Sequence, residues 1–173
     1  HTVPGGTALE GKGKARFSLA GVQMKLSVMK NAEKGGGVTL AVDDGQGQYI
    51  AKFPSLTHMG LSENEFAILA LAEAMGMEVP ARELVEKTDF DGIPEEFNTI
   101  STGKVLLVRR FDRGVDGTRV HMEDFAQVFG RYPSEKYTGA AYHNIAAALN
   151  SAISFDSSIE FVRRLALAAM TGT

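Results

Sequence analysis

Short stretches of alternating apolar and polar residues dominate the first half of the chain, and a period of two is the signature of a half-buried strand. Ala15–Leu19 and Met24–Met29 read as two such strands, separated by Ala20-Gly21-Val22-Gln23. Asn31–Gly37 is a turn cluster, and Gly35 to Gly37 supply positive-φ freedom within it. Val38–Val42 and Gln48–Phe53 flank Asp43-Asp44-Gly45-Gln46-Gly47, the pattern of a hairpin connection. Pro54 then ends the second strand by removing a ladder donor.

From Ser62 to Met75 the period lengthens to that of a helix. Phe66, Leu69 and Ala70 share a stripe, Ser62 and Glu65 have capping-box spacing, and Gly76 can terminate it. Val79–Thr88 and Asn98–Arg110 read as further strands, the second strongly apolar over Lys104–Val108. Met122–Phe129, Ala140–Leu149 and Ser157–Met170 read as helices, and no internal repeat interrupts the series. Strands, one helix, more strands and then helices alone predict an α+β fold, an antiparallel-sheet lobe followed by the first helices of an α-helical lobe. The expected division is a linker over residues 1–14, a sheet lobe over 15–120 and the beginning of a helical lobe over 121–173.

Composition narrows the class. Hydrophobic residues make up 44% of the 173 and charged residues 23%, an ordinary globular balance. A net charge of −3 argues against a general nucleic-acid binder, which is usually basic on one face. Cysteine is absent, which excludes disulfides and thiolate metal sites. No apolar run approaches the roughly 18–20 residues that span a bilayer. His1–Gly13 lacks the apolar core of a signal peptide. A cytoplasmic protein without membrane contact is the expectation. The chain lacks an initiator Met and stops within the apolar Leu165–Thr173, so a fragment of a longer protein is expected.

Three segments carry candidate chemistry. Ser18-Leu-Ala-Gly-Val-Gln-Met-Lys25 places a small-residue turn between strands, where backbone N–H groups can meet phosphate oxygens; a tight structural turn reads the same way. It fits neither the Walker nor the Gly-x-Gly-x-x-Gly pattern, and Lys25 is either a phosphate contact or an exposed strand lysine. Lys52 ends the apolar strand Tyr49-Ile-Ala-Lys-Phe-Pro54, so its ammonium must reach solvent or an anion. Glu65 either holds that ammonium or belongs to the capping box with Ser62. Arg109-Arg110-Phe111 follows the strand Lys104–Val108 and reads either as a strand edge for a planar base or as a solvated strand end. His1, His58, His121 and His143 are too scattered for a metal set, and no metal ligands are assigned. Asp89-Phe-Asp-Gly92 has the wrong spacing for a magnesium motif and reads as a loop turn.

The order and wording of these segments resemble the HipA family of bacterial serine/threonine kinases. The resemblance rests on Phe17-Ser-Leu-Ala-Gly-Val-Gln-Met-Lys25, Tyr49–Pro54, Glu63-Asn-Glu-Phe66 and Met75-Gly-Met-Glu-Val-Pro80. Leu107-Val-Arg-Arg-Phe-Asp-Arg113, Glu123-Asp-Phe-Ala-Gln127 and Pro133-Ser-Glu-Lys-Tyr137 complete it. It implies a protein-kinase-like fold, ATP and Mg2+ as cofactors, and phosphate transfer to a protein serine. Ala20, Gly21, Val22, Gln23, Met24 and Lys25 would then form the phosphate loop, and Lys52 would bind the α- and β-phosphates. Arg109, Arg110 and Phe111 would face the adenine, and Ser18 would be an autophosphorylation site whose added charge repels nucleotide. The implied partners are a HipB-like antitoxin and a protein substrate of the aminoacyl-tRNA synthetase kind, with no direct nucleic-acid contact.

The family's catalytic Asp-x-His-x-x-Asn does not occur, and its aspartate is expected beyond Thr173 together with the magnesium ligands. The chain by itself is therefore expected to be inactive. Two readings follow: part of an active kinase toxin, or a non-catalytic kinase-derived module that binds an antitoxin or another protein.

Overall fold

The computed structural model describes residues 17–18, 23–30, 37–41, 47–55, 58–95, 97, 103–114, 116, 118–132 and 141–172. They fall into two compact units, His1–Ala67 with Pro80–Val120 and Ile68–Val79 with His121–Thr173.

Among the described residues the first unit is built on seven strands: β1 (Phe17–Ser18), β2 (Lys25–Lys30), β3 (Val38–Leu40), β4 (Tyr49–Lys52), β5 (Arg82–Val85), β6 (Phe90–Asp91) and β7 (Val105–Arg109). Their order is β5-β7-β4-β2-β3-β6, with β1 also on β2. All pairs are antiparallel except β3 with β6. The sheet curls enough for Lys30 on β2 to meet Glu83 on β5 at 2.6 Å.

Alternation divides the sheet into two faces. Leu26, Val28, Ala51, Val105 and Leu107 turn to one face and bury there with Val38, Phe53, Phe90 and Phe97. Phe53 is the hub, with ring centroids 5.3 Å from Phe90 and 4.6 Å from Phe97. On the other face, Lys25, Lys52 and Leu106 lie side by side across β2, β4 and β7.

Helix α1 (Leu61–Ala74) stands over this second face with its first turns. Arg82 lies over the Phe66 ring at 5.4 Å, and the Lys104 N–H donates to Glu63 Oε1 at 3.0 Å. The helix ends before Gly76, whose φ of +76° suits glycine. It opens two residues earlier than the capping reading requires: Asn64 N–H donates to the Gly60 carbonyl, so Ser62 sits inside the first turn.

Two further expectations are corrected. Val38–Val42 and Gln48–Phe53 were to form a hairpin, yet β3 and β4 lie on opposite edges of β2. Both run antiparallel to β2 and hence parallel to each other, because β2 needs neighbours on both edges to enclose Leu26 and Val28. Asp89–Gly92 is also more than a loop turn. A 3-10 turn at Lys87–Asp89 leads into β6 because Phe90 buries against Phe53, bringing its backbone alongside β3.

The second unit contains α2 (Phe125–Val128), α3 (Tyr142–Ala152) and α4 (Phe155–Thr171). Asp124 and Gln127 form a capping box that starts α2, Ser154 accepts from Ser157 N–H to start α4, and Gly172 ends it at φ 71°. Leu167 packs with Ala72, Met77 and Val79. Arg163 and Arg164 donate to the carbonyls of Met75 and Glu78 at 2.6 and 2.7 Å. The apolar stretch Phe161–Met170 is thus partly covered within its own unit, through Leu167 and through Phe161 against Phe125.

Candidate functional site

Lys52 closes β4 on the α1 side of the sheet, and its ammonium pairs with the Glu65 carboxylate. Their side chains are 20% and 32% exposed, so the pair is largely withdrawn from water while one edge stays open. A lysine so placed needs a counter-charge, and Glu65 supplies it. The helix glutamate is therefore a lysine partner and not the cap that its spacing with Ser62 also allowed.

Ser62 has another task. It is fully buried, accepts from Gln23 Nε2 at 3.1 Å and donates to the Lys52 carbonyl at 3.3 Å. The Phe53 N–H donates to the Met24 carbonyl at 2.9 Å, tying the same segments through the backbone. Lys25 follows directly and is the Cα partner of both Ser18 on β1 and Lys52 on β4. Two lysines thus stand side by side on one face, at the point where the segment after β1 rejoins the sheet.

Arg110, on this same face beyond β7, donates to Ser27 Oγ at 3.4 Å. Its guanidinium grips Asp112 through two bonds, Nε–Oδ1 at 2.8 Å and Nη2–Oδ2 at 2.6 Å, and Arg113 adds a third at 2.6 Å. The Arg110 hydrogen bond, with the charges of both arginines, holds the Asp112 carboxyl down at about 2. The cluster is not a solvated strand end: the side chains of Arg110, Asp112 and Arg113 are 19%, 16% and 8% exposed.

Among the sequence-predicted residues, Gln23, Lys25, Lys52, Glu65 and Arg110 are brought together around one face, whereas Met24 packs against the apolar core on the other. Ala20, Gly21, Val22 and the Ser18 side chain lie outside the described residues. Arg109 and Arg110 donate their backbone N–H groups to the carbonyls of Ala81 and Gln48, both at 2.8 Å, and the Phe111 ring is exposed. Sequence reasoning missed the Gln23–Ser62–Lys52 chain and the central place of Asp112. Arg110 and Asp112, two apart at a strand end, carried a local signal for the second; nothing local marked the first.

Among the described residues no group of three or more His, Cys, Asp or Glu gathers as a metal site. The donor set instead suits an anion: two lysines with one carboxylate between the ammonium of Lys52 and the helix. An open groove of about 500 Å³ in the second unit, lined by Phe125, Leu149, Ile153 and Phe161, is mainly apolar and assembles no comparable set.

Residues 17–173 match the family described as the HipA-like C-terminal domain. The chain belongs to the HipA-like family. A Sinorhizobium fredii protein named "Putative kinase Y4dM" is 43% identical over 157 residues, 91% of this chain and 38% of that protein. The Shewanella oneidensis protein named "Serine/threonine-protein kinase toxin HipA" is 33% identical over 130 residues, 72% of this chain and 26% of its own length. A solved structure of the Shewanella oneidensis toxin–antitoxin system HipA, HipB and its operator DNA matches with a TM-score of 0.62. That match covers 90% of this chain and 37% of the other at 24% identity, a likeness of fold. The α+β architecture is accordingly the kinase-like one of HipA. The chain spans less than two fifths of the length of each of these relatives.

Proposed function

We propose that this HipA-like chain is the nucleotide-binding part of a serine/threonine protein kinase toxin that transfers the γ-phosphate of ATP to a protein serine. The observation that carries this reading is the Lys52–Glu65 pair, a strand lysine held by a helix carboxylate, with Lys25 as its neighbour. Phosphoryl transfer is catalysed chiefly by positioning and charge stabilisation, and such a pair supplies both. Lys52 would bind the nucleotide phosphates, Glu65 would fix its direction, and Lys25 with the backbone of Ala20–Lys25 would cover them. The adenine would lie beyond β7 against the exposed ring of Phe111, because Arg110 is engaged with Asp112.

In the transfer, the serine oxygen attacks the γ-phosphorus, its proton passes to the positioning carboxylate or to solvent, the bond to the β-phosphate oxygen breaks, and ADP leaves. Magnesium, bound with ATP, would neutralise developing phosphate charge. The carboxylates that hold it and the acid that positions the serine hydroxyl are not assigned to residues of this chain. A HipB-like antitoxin is the proposed partner, and an aminoacyl-tRNA synthetase is the proposed kind of substrate. Family membership and the kinase names of the relatives support this reading.

The test uses the full-length protein, labelled ATP and magnesium, with phosphoserine as the readout in autophosphorylation and in a desalted lysate. Lys52→Ala should cut the rate by about 100-fold or more, and Glu65→Gln should fall between that variant and wild type. Undiminished transfer by Lys52→Ala would remove Lys52 from the site. A folded full-length protein that binds a protein partner yet transfers no phosphate would favour the non-catalytic module.

A further inference from the structure

Ser62 and Glu65 lie one helical turn apart on α1, and together they hold Lys52 at both ends. The Ser62 hydroxyl donates to the Lys52 carbonyl, and Glu65 takes the ammonium. Residues three apart share a helix face, so this grip is a single rigid device. Gln23 is joined to it: its side-chain amide donates to the same Ser62 oxygen at 3.1 Å. Gln23 is 7% exposed and Ser62 0%, and a buried polar group is tolerated when it is partnered. Neither residue serves its own neighbourhood. Ser62 does not cap α1, and Gln23 reaches a residue 39 positions away. Packing alone would be met by apolar side chains, whereas a buried directional bond fixes one relative placement.

We infer that Gln23 and Ser62 are positioning residues, which set the segment rejoining β2 at Lys25 and the Lys52–Glu65 pair as one unit against the phosphates of a nucleoside triphosphate. The inference rests on the nucleotide reading above. It moves Gln23 from a direct phosphate contact to a brace: its side chain is spent on Ser62, while Lys25, two residues on, stands beside Lys52. Loss of the Gln23 donor would let Lys25 and the Lys52–Glu65 pair shift independently, weakening nucleotide binding without removing either lysine.

Binding of adenylyl imidodiphosphate with magnesium to the full-length protein, measured by calorimetry, tests this, with urea unfolding in parallel. Gln23→Leu and Ser62→Ala should each weaken binding about tenfold, and the double variant should be little worse than the weaker single, since both break one chain. Lys52→Ala should lose binding altogether. Affinity within about twofold of wild type in Gln23→Leu, with only the unfolding midpoint lowered, would make the bond merely structural and overturn the inference. So would fully additive losses. If Lys52→Ala loses binding and Gln23→Leu does not, the nucleotide reading survives and the positioning role falls. If wild type itself fails to bind, both fall. Should Gln23→Leu not fold, Gln23→Glu keeps the shape and lacks the donor when ionised. Its deficit relative to wild type should shrink as pH falls and the carboxyl regains a proton, and a constant deficit overturns the role.

Discussion

Asp112 shows how much one carboxylate can organise. It accepts from Arg110 twice and from Arg113 once, and with a side chain 16% exposed it holds both guanidinium groups. Its pKa is lowered from 3.8 to about 2, first by the Arg110 hydrogen bond and then by the charges of Arg110 and Arg113. A carboxylate depressed on folding contributes stability that is fully present above its ordinary value and lost as pH falls through the folded one. Asp112 should therefore contribute on the order of 2 kcal/mol at neutral pH, fading between about pH 4 and pH 2. Asp112→Asn should lower stability by a comparable amount at pH 7 and by much less at pH 2, measured by urea unfolding at both. Equal losses at the two pH values would contradict the assignment. At this scale the sequence spoke unevenly. A lysine ending an apolar strand announced Lys52, because charge at such a place needs a partner. Glu65 stayed ambiguous because a spacing of three positions from Ser62 suits a cap and a helix face alike. Gln23 and Ser62 meet across 39 residues, and no local pattern encodes that contact.

Elements were legible wherever burial follows a simple period. The alternation in β2 and the apolar β7 predicted strands, the Phe66 stripe predicted α1, and the three later helices fell where periodicity put them, with ends moved by Asp124 and Ser154. Pairing was not legible. Turn residues before Gln48 suggested a hairpin, but both flanking strands serve β2. Gly47 reveals how close that arrangement is: a Cβ there would come 1.8 Å from Ser27 Oγ and 3.2 Å from the Ala41 Cβ. Ser27 also receives the Arg110 guanidinium, so the crowding would reach the candidate site. Gly47→Ala should destabilise the protein by about 1–3 kcal/mol, seen as a lowered urea midpoint with an unchanged slope. Gly60→Ala offers a contrast, since nothing lies within 4 Å of its added carbon and its φ of +72° leaves backbone strain alone. A Gly47→Ala protein as stable as wild type would contradict the close approach of Gly47 to Ser27. β6, two residues long, had no period to read and exists because Phe90 buries with Phe53.

For the whole molecule, the α+β order and the family were legible because motif and topology agree along the chain: a lysine strand, a glutamate helix and an Arg-Phe-Asp-Arg strand end, in that sequence. What the order cannot supply is the direction of each charge. Geometry adds that Lys25 and Lys52 face the same way and that Arg110 is already engaged. Among the described residues no helix is long and apolar enough to cross a membrane. The central claim is that these two lysines meet nucleotide phosphates. The most direct measurement is labelling of the full-length protein with an acyl-phosphate derivative of ATP, which acylates amines beside the phosphates, followed by peptide mass spectrometry. Acylation of Lys52 or Lys25, suppressed by excess ATP, is the predicted result. Labelling confined to other lysines, or labelling of these two that ATP does not suppress, would contradict the account.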